Sequence, residues 1–237
     1  MNLLRKYIRK EILAEERGKN AAPPKGNLTG KDFSGKTKSM VQKLINSNIG
    51  IRIDTFSRKG RTSTDIVYVD ASSGDDLEFE VEEGRENFGA IVDIEPVPGK
   101  YGPCGGNAYK IGMAAAPQGW GPLLYDIAIE YVESIGGAGL ISDRRSVSDF
   151  AVPIWDVYYE ARPDIIAVQL NNKAGKPNPK AKNSNCDQKV AIEDMKRRPE
   201  IKSWIDSPLS KLYKTGPNHY NAYEALKKKG LIFYESE

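Results

Sequence analysis

The chain has 237 residues, enough for one large domain or for one domain with extensions. Its 35 basic residues face 32 acidic ones, and a net charge of only +3 argues against nucleic acid as the main partner. Hydrophobic residues make up 39% of the chain, which can fill a core, but no apolar run approaches the roughly eighteen residues of a membrane span.

Cysteine and histidine are too scarce for several kinds of site. Cys104 and Cys186 are the only cysteines, and His219 is the only histidine. This set argues against a zinc site and against a catalytic triad, so no metal is expected. Two cysteines with no signal peptide before them indicate a reducing compartment, and we expect the protein in the cytoplasm.

The first 37 residues have the pattern of a tethered helix. Residues 1–16 place their apolar side chains on one helical face, with most charged side chains opposite. Residues 18–35 are rich in glycine, proline, lysine and asparagine, a composition typical of a flexible linker. We therefore predict an amphipathic helix and linker over residues 1–37 and a folded body over residues 38–237.

The body opens with a short helical pattern at residues 40–45 and continues with strand patterns. Alternating or apolar strand patterns occupy residues 50–57, 65–70, 77–81, 88–97 and 107–116. The first two are expected to form a hairpin, and residues 88–97 are apolar enough to lie inside the sheet. A Pro-Gln-Gly-Trp-Gly turn, a helix over residues 122–135 and a strand over 139–142 follow.

The last third of the body mixes helices and strands. Residues 146–161 read as a helix in which Pro153 introduces a kink or marks the first turn. Residues 165–170 read as a strand, and residues 171–188 as a polar insertion. Looser helical patterns at 190–205 and 220–229 form a C-terminal extension, and residues 231–234 are compatible with a final strand.

The glycine turn and its flanks resemble the cofactor site of the GNAT superfamily of N-acetyltransferases. In that family a strand leads into a turn of pattern Arg/Gln-x-x-Gly-x-Gly/Ala, followed by a helix with leucines in its first turns. Gly119 and Gly121 match the small positions, and Leu123 and Leu124 match the leucines. The resemblance implies an α/β domain with a mixed, mostly antiparallel central sheet flanked by helices.

The resemblance also implies acetyl-CoA as cofactor and an amine as acceptor. Turn amides and the helix N-terminus would hold the pyrophosphate, and an amide near Met113 or Ala114 would polarise the thioester carbonyl. In the family the two strands beside this helix splay apart, and pantetheine lies between them. The cofactor-binding residues implied are Met113, Ala114, Gln118, Gly119, Trp120, Gly121 and Leu123.

The sequence departs from the family pattern at three positions. Ala116 stands at the Arg/Gln position, where Gln118 is a substitute, and Pro122 removes one amide donor. The segment at residues 148–155 resembles the family's next helix, but Trp155 replaces the tyrosine that often acts as the acid.

Other residues are therefore needed for acid and base chemistry. Tyr158 and Tyr159 are the candidate acids, nearly one helical turn after Trp155. Glu95 or Asp93 is the candidate base, and the pattern leaves the choice between them open.

Residues 1–15 resemble the N-terminal targeting peptides of proteins from large tailed bacteriophages. Leu13-Ala14-Glu15 fits the Leu/Ile-x-Glu pattern after which a prohead protease cleaves. The leading expectation is a phage N-acetyltransferase-like protein in the host cytoplasm. The alternative is a non-catalytic GNAT-like virion protein that contacts capsid or prohead proteins through Met1 to Glu16, and a third is a factor that binds a host protein through this helix.

Overall fold

The computed structural model describes residues 30–58, 61–81, 85–88, 90–97, 107–116, 120–144, 146–149, 151–170 and 188–236. The predicted N-terminal helix and the polar insertion at 171–187 lie outside these residues. In the described ranges the helices are α1 (Gly30–Ser47), α2 (Gly121–Ser134), α3 (Val152–Glu160), α4 (Lys189–Arg197) and α5 (Ala222–Lys228). Short 3-10 helices span Trp204–Asp206 and Pro208–Ser210.

The strands follow in chain order. They are β1 (Ile49–Arg58), β2 (Arg61–Asp70), β3 (Glu78–Val81), β4 (Arg85–Phe88), β5 (Ala90–Pro96), β6 (Ala108–Lys110), β7 (Met113–Ala115), β8 (Gly139–Ile141), β9 (Ile165–Gln169), β10 (Lys211–Thr215) and β11 (Ile232–Ser236).

A mixed sheet forms the centre of the described structure. Its strand order is β11-β1-β2-β5-β6-β8-β10-β9, and β7 pairs with β5 beside this path. The β1–β11 and β6–β8 pairs are parallel, and the other pairs in the sheet are antiparallel. Strands β3 and β4 form a separate hairpin. This confirms the α/β class with a mixed, mostly antiparallel sheet flanked by helices.

Alternation along the strands separates two apolar clusters. Leu140 and Tyr213 belong to the main core, which also contains residues of all five described helices, whereas their neighbours Ile141 and Leu212 belong to a small second cluster. Because successive strand residues point to opposite faces, the two clusters lie on opposite sides of the sheet. The main core therefore lies between the sheet and the helices.

Helix α2 is buried along most of its length. Every residue from Leu123 to Val132 is buried, including Asp126 and Glu130. A helix that is buried on all sides needs apolar residues all round or polar residues with internal partners. Its two carboxylates therefore need partners from neighbouring elements.

Helix α1 begins earlier than the sequence predicted. It starts at Gly30, inside the segment predicted as a linker up to residue 35, so that prediction is wrong from Gly30 onward. Thr37, Val41 and Leu44 are buried. Packing against the body thus extends the helix through a segment whose composition alone favours a linker.

Three further elements differ from the prediction. Strand β10 was not predicted, although it lies between β8 and β9. Helix α4 ends at Arg197 rather than continuing to residue 205, and Arg198 is extended. A residue before proline disfavours the helical conformation, and Pro199 follows Arg198. Helix α3 begins at Val152 rather than at residue 146, so Pro153 marks its first turn rather than a kink.

Replacing Thr37 tests the place of α1 in the body. Its hydroxyl donates to Oδ2 of Asp126 at 2.8 Å in a buried position. Thr37→Val keeps the shape but removes this donor, so the free energy of unfolding should fall by about 1–3 kcal/mol in urea titrations. Ser39→Ala, at an exposed position of the same helix, should change it by less than about 0.5 kcal/mol. Equal effects would contradict the packing described.

Candidate functional site

The strands on either side of α2 start as neighbours and then separate. Strands β6 and β8 pair in parallel from Ala108↔Gly139 to Lys110↔Ile141, and the amide of Ile111 still donates to the Ile141 carbonyl at 3.2 Å. Beyond Gly112 the chain continues as β7, which pairs with β5 and with no other strand in the described ranges. The edge of β7 that faces away from β5 is therefore unpaired by any described strand.

A local distortion accompanies the separation. Asp93 in β5 has a positive φ of 56°, and the pairing of β5 with β2 shifts between Thr64 and Ile66. The Asp93 carbonyl accepts from the Gly112 amide at 3.1 Å, and a Cβ at Gly112 would lie 2.6 Å from the Asp93 Cβ. Glycine thus permits the close approach that lets the chain pass from β6 to β7.

Several predicted cofactor-binding residues lie at this separation. Met113 is 59% exposed, and Ala114 is also exposed on β7. Helix α2 begins just after, at Gly121, where an added Cβ would have Ala116 Cβ at 3.9 Å as its nearest neighbour. No side chain caps α2 through Trp120, and its first turn has no acidic residue. The positive end of the helix is thus left without a side-chain anion from its own first turn.

Other predicted cofactor residues are part of the core. The Trp120 indole is buried edge-on to Tyr68, whose hydroxyl donates to the Trp120 carbonyl at 3.0 Å. The Leu123 side chain is also buried, so contact with a cofactor would be through its backbone. Gln118 and Gly119 lie outside the described residues.

The structure separates the two candidate acids. Tyr158 is buried and donates to Oδ1 of Asp126 at 2.5 Å, and burial raises the pKa of its phenol well above the usual value. Tyr159 is 39% exposed, and Nζ of Lys211 lies 4.9 Å from the centre of its ring. Both acid roles stay predictions, although only Tyr159 of the two has an exposed side chain.

The candidate bases lie on β5 at different distances from the separation. Glu95 is paired with Lys110 of β6, and its carboxylate is 3.2 Å from Nζ of that lysine. Asp93 is exposed and lies directly beside Gly112, where β6 gives way to β7. Asp93 therefore lies closer than Glu95 to Gly112, the point where β7 separates from β8.

Arg144 has a structural role in the described ranges. Its guanidinium is buried and donates to the Leu209 carbonyl at 2.6 Å, to Ser142 Oγ at 3.0 Å and to Gln188 Oε1 at 3.1 Å. These contacts tie the end of β8 to Gln188, just before α4, and to the second 3-10 helix.

A buried charge cluster beside α2 was not predicted from the sequence. Arg162 contacts Asp126 at 2.9 Å and Asp164 at 2.8 Å. The His219 ring lies between Oδ2 of Asp164, at 3.0 Å from Nδ1, and Oε1 of Glu130, at 2.5 Å from Nε2. We call these five residues the α2 charge cluster.

The α2 charge cluster also fixes the start of α5. The Glu130 carboxylate accepts from the amides of Ala222 and Tyr223, at 3.1 and 2.5 Å. These are first-turn amides of α5, so an acid of one helix satisfies the N-terminus of another. The signal in the sequence was a pair of acids four residues apart among the otherwise apolar residues 122–132.

The contacts within the α2 charge cluster shift the pKa values of His219 and Asp164. Burial alone would lower the pKa of His219, but its hydrogen bonds to Asp164 and Glu130 outweigh burial and raise that pKa to about 9. For Asp164, burial acts to raise the pKa, yet hydrogen bonds from Arg162 and His219 hold it well below the usual range. His219 is therefore a buried cation at neutral pH.

Comparisons with known proteins give this chain no relative. The chain matches no protein-family model, and no curated protein or solved structure is significantly similar to it. Among the described helices, none combines the length and apolar character that crossing a membrane requires. Within the same ranges, no group of three or more His, Cys, Asp or Glu side chains is arranged to hold a metal ion.

The pKa of His219 can be measured directly because the chain contains one histidine. In an NMR pH titration of the imidazole, the folded protein should show a midpoint near 9. Asp164→Asn removes one carboxylate partner and should lower that midpoint. A midpoint near 6.5, the usual value for histidine, would contradict the ion pairs described.

The same shift predicts how stability changes with pH. His219 has a higher pKa folded than unfolded, so its contribution is complete below about pH 6.5 and is lost as pH rises through about 9. The loss should be on the order of 3 kcal/mol in the free energy of unfolding, measured by urea titration. His219→Asn should show a flatter dependence over the same range, and parallel curves would argue against this role.

Proposed function

We propose that this protein is an N-acetyltransferase-like protein that transfers an acetyl group from acetyl-CoA to an amine. The observation that carries the proposal is the separation of β7 from β8 beyond Gly112, with Ala116, the residue after β7, beside Gly121 at the N-terminus of α2. In the GNAT superfamily, which the glycine turn resembles, pantetheine lies between two strands that separate at this point. A mixed sheet flanked by helices is compatible with that family's fold.

The edge of β7 that no described strand pairs with suits an extended ligand. Pantetheine carries amide groups, and a strand edge offers alternating amide and carbonyl groups with which they pair as an added strand would. Met113 and Ala114 are exposed on β7, and α2 begins at Gly121 without a side-chain cap from Trp120. Phosphate groups are favoured at such a helix N-terminus because free amides and the helix dipole both attract anions.

The proposed reaction needs a base, an oxyanion donor and an acid. The amine nitrogen attacks the thioester carbonyl, a C–N bond forms and the C–S bond breaks. The amide of Met113 or Ala114 would stabilise the developing oxyanion. Asp93 or Glu95 would take the proton from the amine, and Tyr159 or Tyr158 would return a proton to the departing thiolate. Exposure favours Asp93 and Tyr159 within these pairs.

Calorimetric titration with acetyl-CoA tests the proposal. We expect saturable binding below millimolar cofactor. Gly121→Glu should weaken it at least ten-fold, about 1.4 kcal/mol, because the added carboxylate would occupy the phosphate position. Among the described residues outside its own helix and chain neighbours, the nearest heavy atom to the added Cβ is the Cβ of Ala116, 3.9 Å away, which leaves room for this side chain.

A matched control places the same charge at the other end of the helix. Ser134 is exposed in the last turn of α2, and Ser134→Glu should leave the affinity for acetyl-CoA unchanged. No heat at millimolar acetyl-CoA, or equal affinity in the Gly121→Glu protein, would sink the proposal.

A second candidate is a virion protein whose GNAT-like body has no catalytic role. Burial of the Tyr158 hydroxyl against Asp126 and pairing of Glu95 with Lys110 favour it, because both groups then serve structure. Its partners would be capsid or prohead proteins, reached through Met1 to Glu16.

Mass spectrometry of purified phage particles tests this second candidate. A packaged protein cleaved after Leu13-Ala14-Glu15 should appear as a chain that begins at Glu16. Its recovery from particles, together with no binding of acetyl-CoA, would select the second candidate. Particles without the chain would exclude it.

A further inference from the structure

A groove lies between the start of α3 and one face of α4. It encloses about 300 Å³. Its lining comes from the segment between β8 and α3, from both helices and from Leu209 in the second 3-10 helix. A volume of this size is at the lower limit for small-molecule sites, which usually measure about 300–1,000 Å³.

The sheet topology places the groove at the same end of the strands as the proposed cofactor site. Strands β6 and β8 are parallel, and β8 and β9 are each antiparallel to β10. The carboxyl ends of β7, β8 and β9 therefore lie at the same end of the sheet. Helix α2 follows β7, the groove segment follows β8, and α4 lies in the connection from β9 to β10.

The described residues of the groove lining carry an excess of negative charge. They include four carboxylates and two guanidinium groups: Asp149, Asp156, Glu193, Asp194, Arg197 and Arg198. Arg198 is held between Asp156 and Asp194, at 2.8 and 2.7 Å, so one cation meets two anions.

The remaining acids are at the exposed rim. Asp149 is 91% exposed and only 3.4 Å from the exposed Arg197, and Glu193 is 3.9 Å from the exposed Lys189, which is outside the lining. The net attraction within exposed ion pairs of this kind is weak. Both rim carboxylates are thus open to a cationic ligand.

The floor of the groove is apolar. Val147, Val152, Val190 and Leu209 contribute to it, and Val190 and Leu209 are buried. An apolar floor beneath acidic groups matches a ligand with an aliphatic chain between positive charges. Such a ligand would bury its methylene groups and keep its ammonium groups beside the carboxylates.

We propose that this groove binds the acceptor of the reaction, and that the acceptor is a small aliphatic polyamine. The assignment as acceptor rests on the proposed acetyl transfer, whereas binding of the amine does not. The groove and the proposed cofactor site lie at the same end of the sheet, beyond the carboxyl ends of β7, β8 and β9.

An NMR titration with 1,5-diaminopentane, without acetyl-CoA, tests the binding. Amide signals of the groove residues should shift in a saturable manner, and 1,5-pentanediol, of similar length but neutral, should not shift them. Affinity should fall as salt is raised, since the attraction involves exposed charges. Shifts that spread over the surface, or equal shifts with the diol, would overturn the proposal.

Matched variants test whether the two rim carboxylates attract the diamine. Asp149→Asn with Glu193→Gln should weaken diamine binding at least about five-fold, because both rim charges are removed. Glu160→Gln with Glu200→Gln makes the same change in net charge at exposed positions outside the groove lining, and affinity should be unchanged. Equal weakening by both pairs would overturn the groove assignment.

Two further comparisons distinguish a polyamine from a protein lysine, and failure of the groove assignment from failure of the proposed function. A lysine with blocked α-amino and carboxyl groups should bind more weakly than the diamine, and tighter binding would overturn the polyamine in favour of a protein lysine. If acetyl-CoA binds but the diamine does not, the proposed function stands and the groove assignment fails. If the diamine binds the groove and acetyl-CoA does not bind, the binding site stands and its role as acceptor site fails.

Discussion

The burial of two carboxylates in α2 constrains the rest of the structure. Asp126 and Glu130 are almost fully buried, and buried charge is costly unless it is paired and hydrogen-bonded. Their partners come from α1, from α3 and the segment after it, and from the start of α5. Each of these elements must therefore take a particular position beside α2, and removal of one partner would leave charge unpaired in the core.

This arrangement bears on the proposed cofactor site because α2 carries the site's N-terminal amides. A helix held on several sides presents those amides at a fixed place beside β7. The close approach of Gly112 to Asp93 sets where β7 leaves β8. The position of α2 and the separation of β7 from β8 thus have independent physical causes. Both are needed for a ligand to lie between the two strands.

Local patterns predicted the elements that have a strong period or clear turn residues. The β1–β2 hairpin, helix α2 and strand β9 follow from alternation, helical spacing and bounding glycines. Strand β10 and the first part of α1 were missed, because a strand with lysines at two of its five positions and a polar helical segment have weak local signals. Their stability comes from neighbours distant in sequence, as the burial of Thr37 against Asp126 shows.

The sequence by itself determined the α/β class, the order of elements around the glycine turn and the position of Met113, Ala114 and Gly121 within them. These depend on short-range spacing, which is visible along the chain. Only the tertiary structure decided that His219 meets Glu130 and Asp164, which are 89 and 55 residues away, and that Tyr158 donates to a buried acid. Such contacts depend on which faces of distant elements pack together, and no local pattern encodes that pairing.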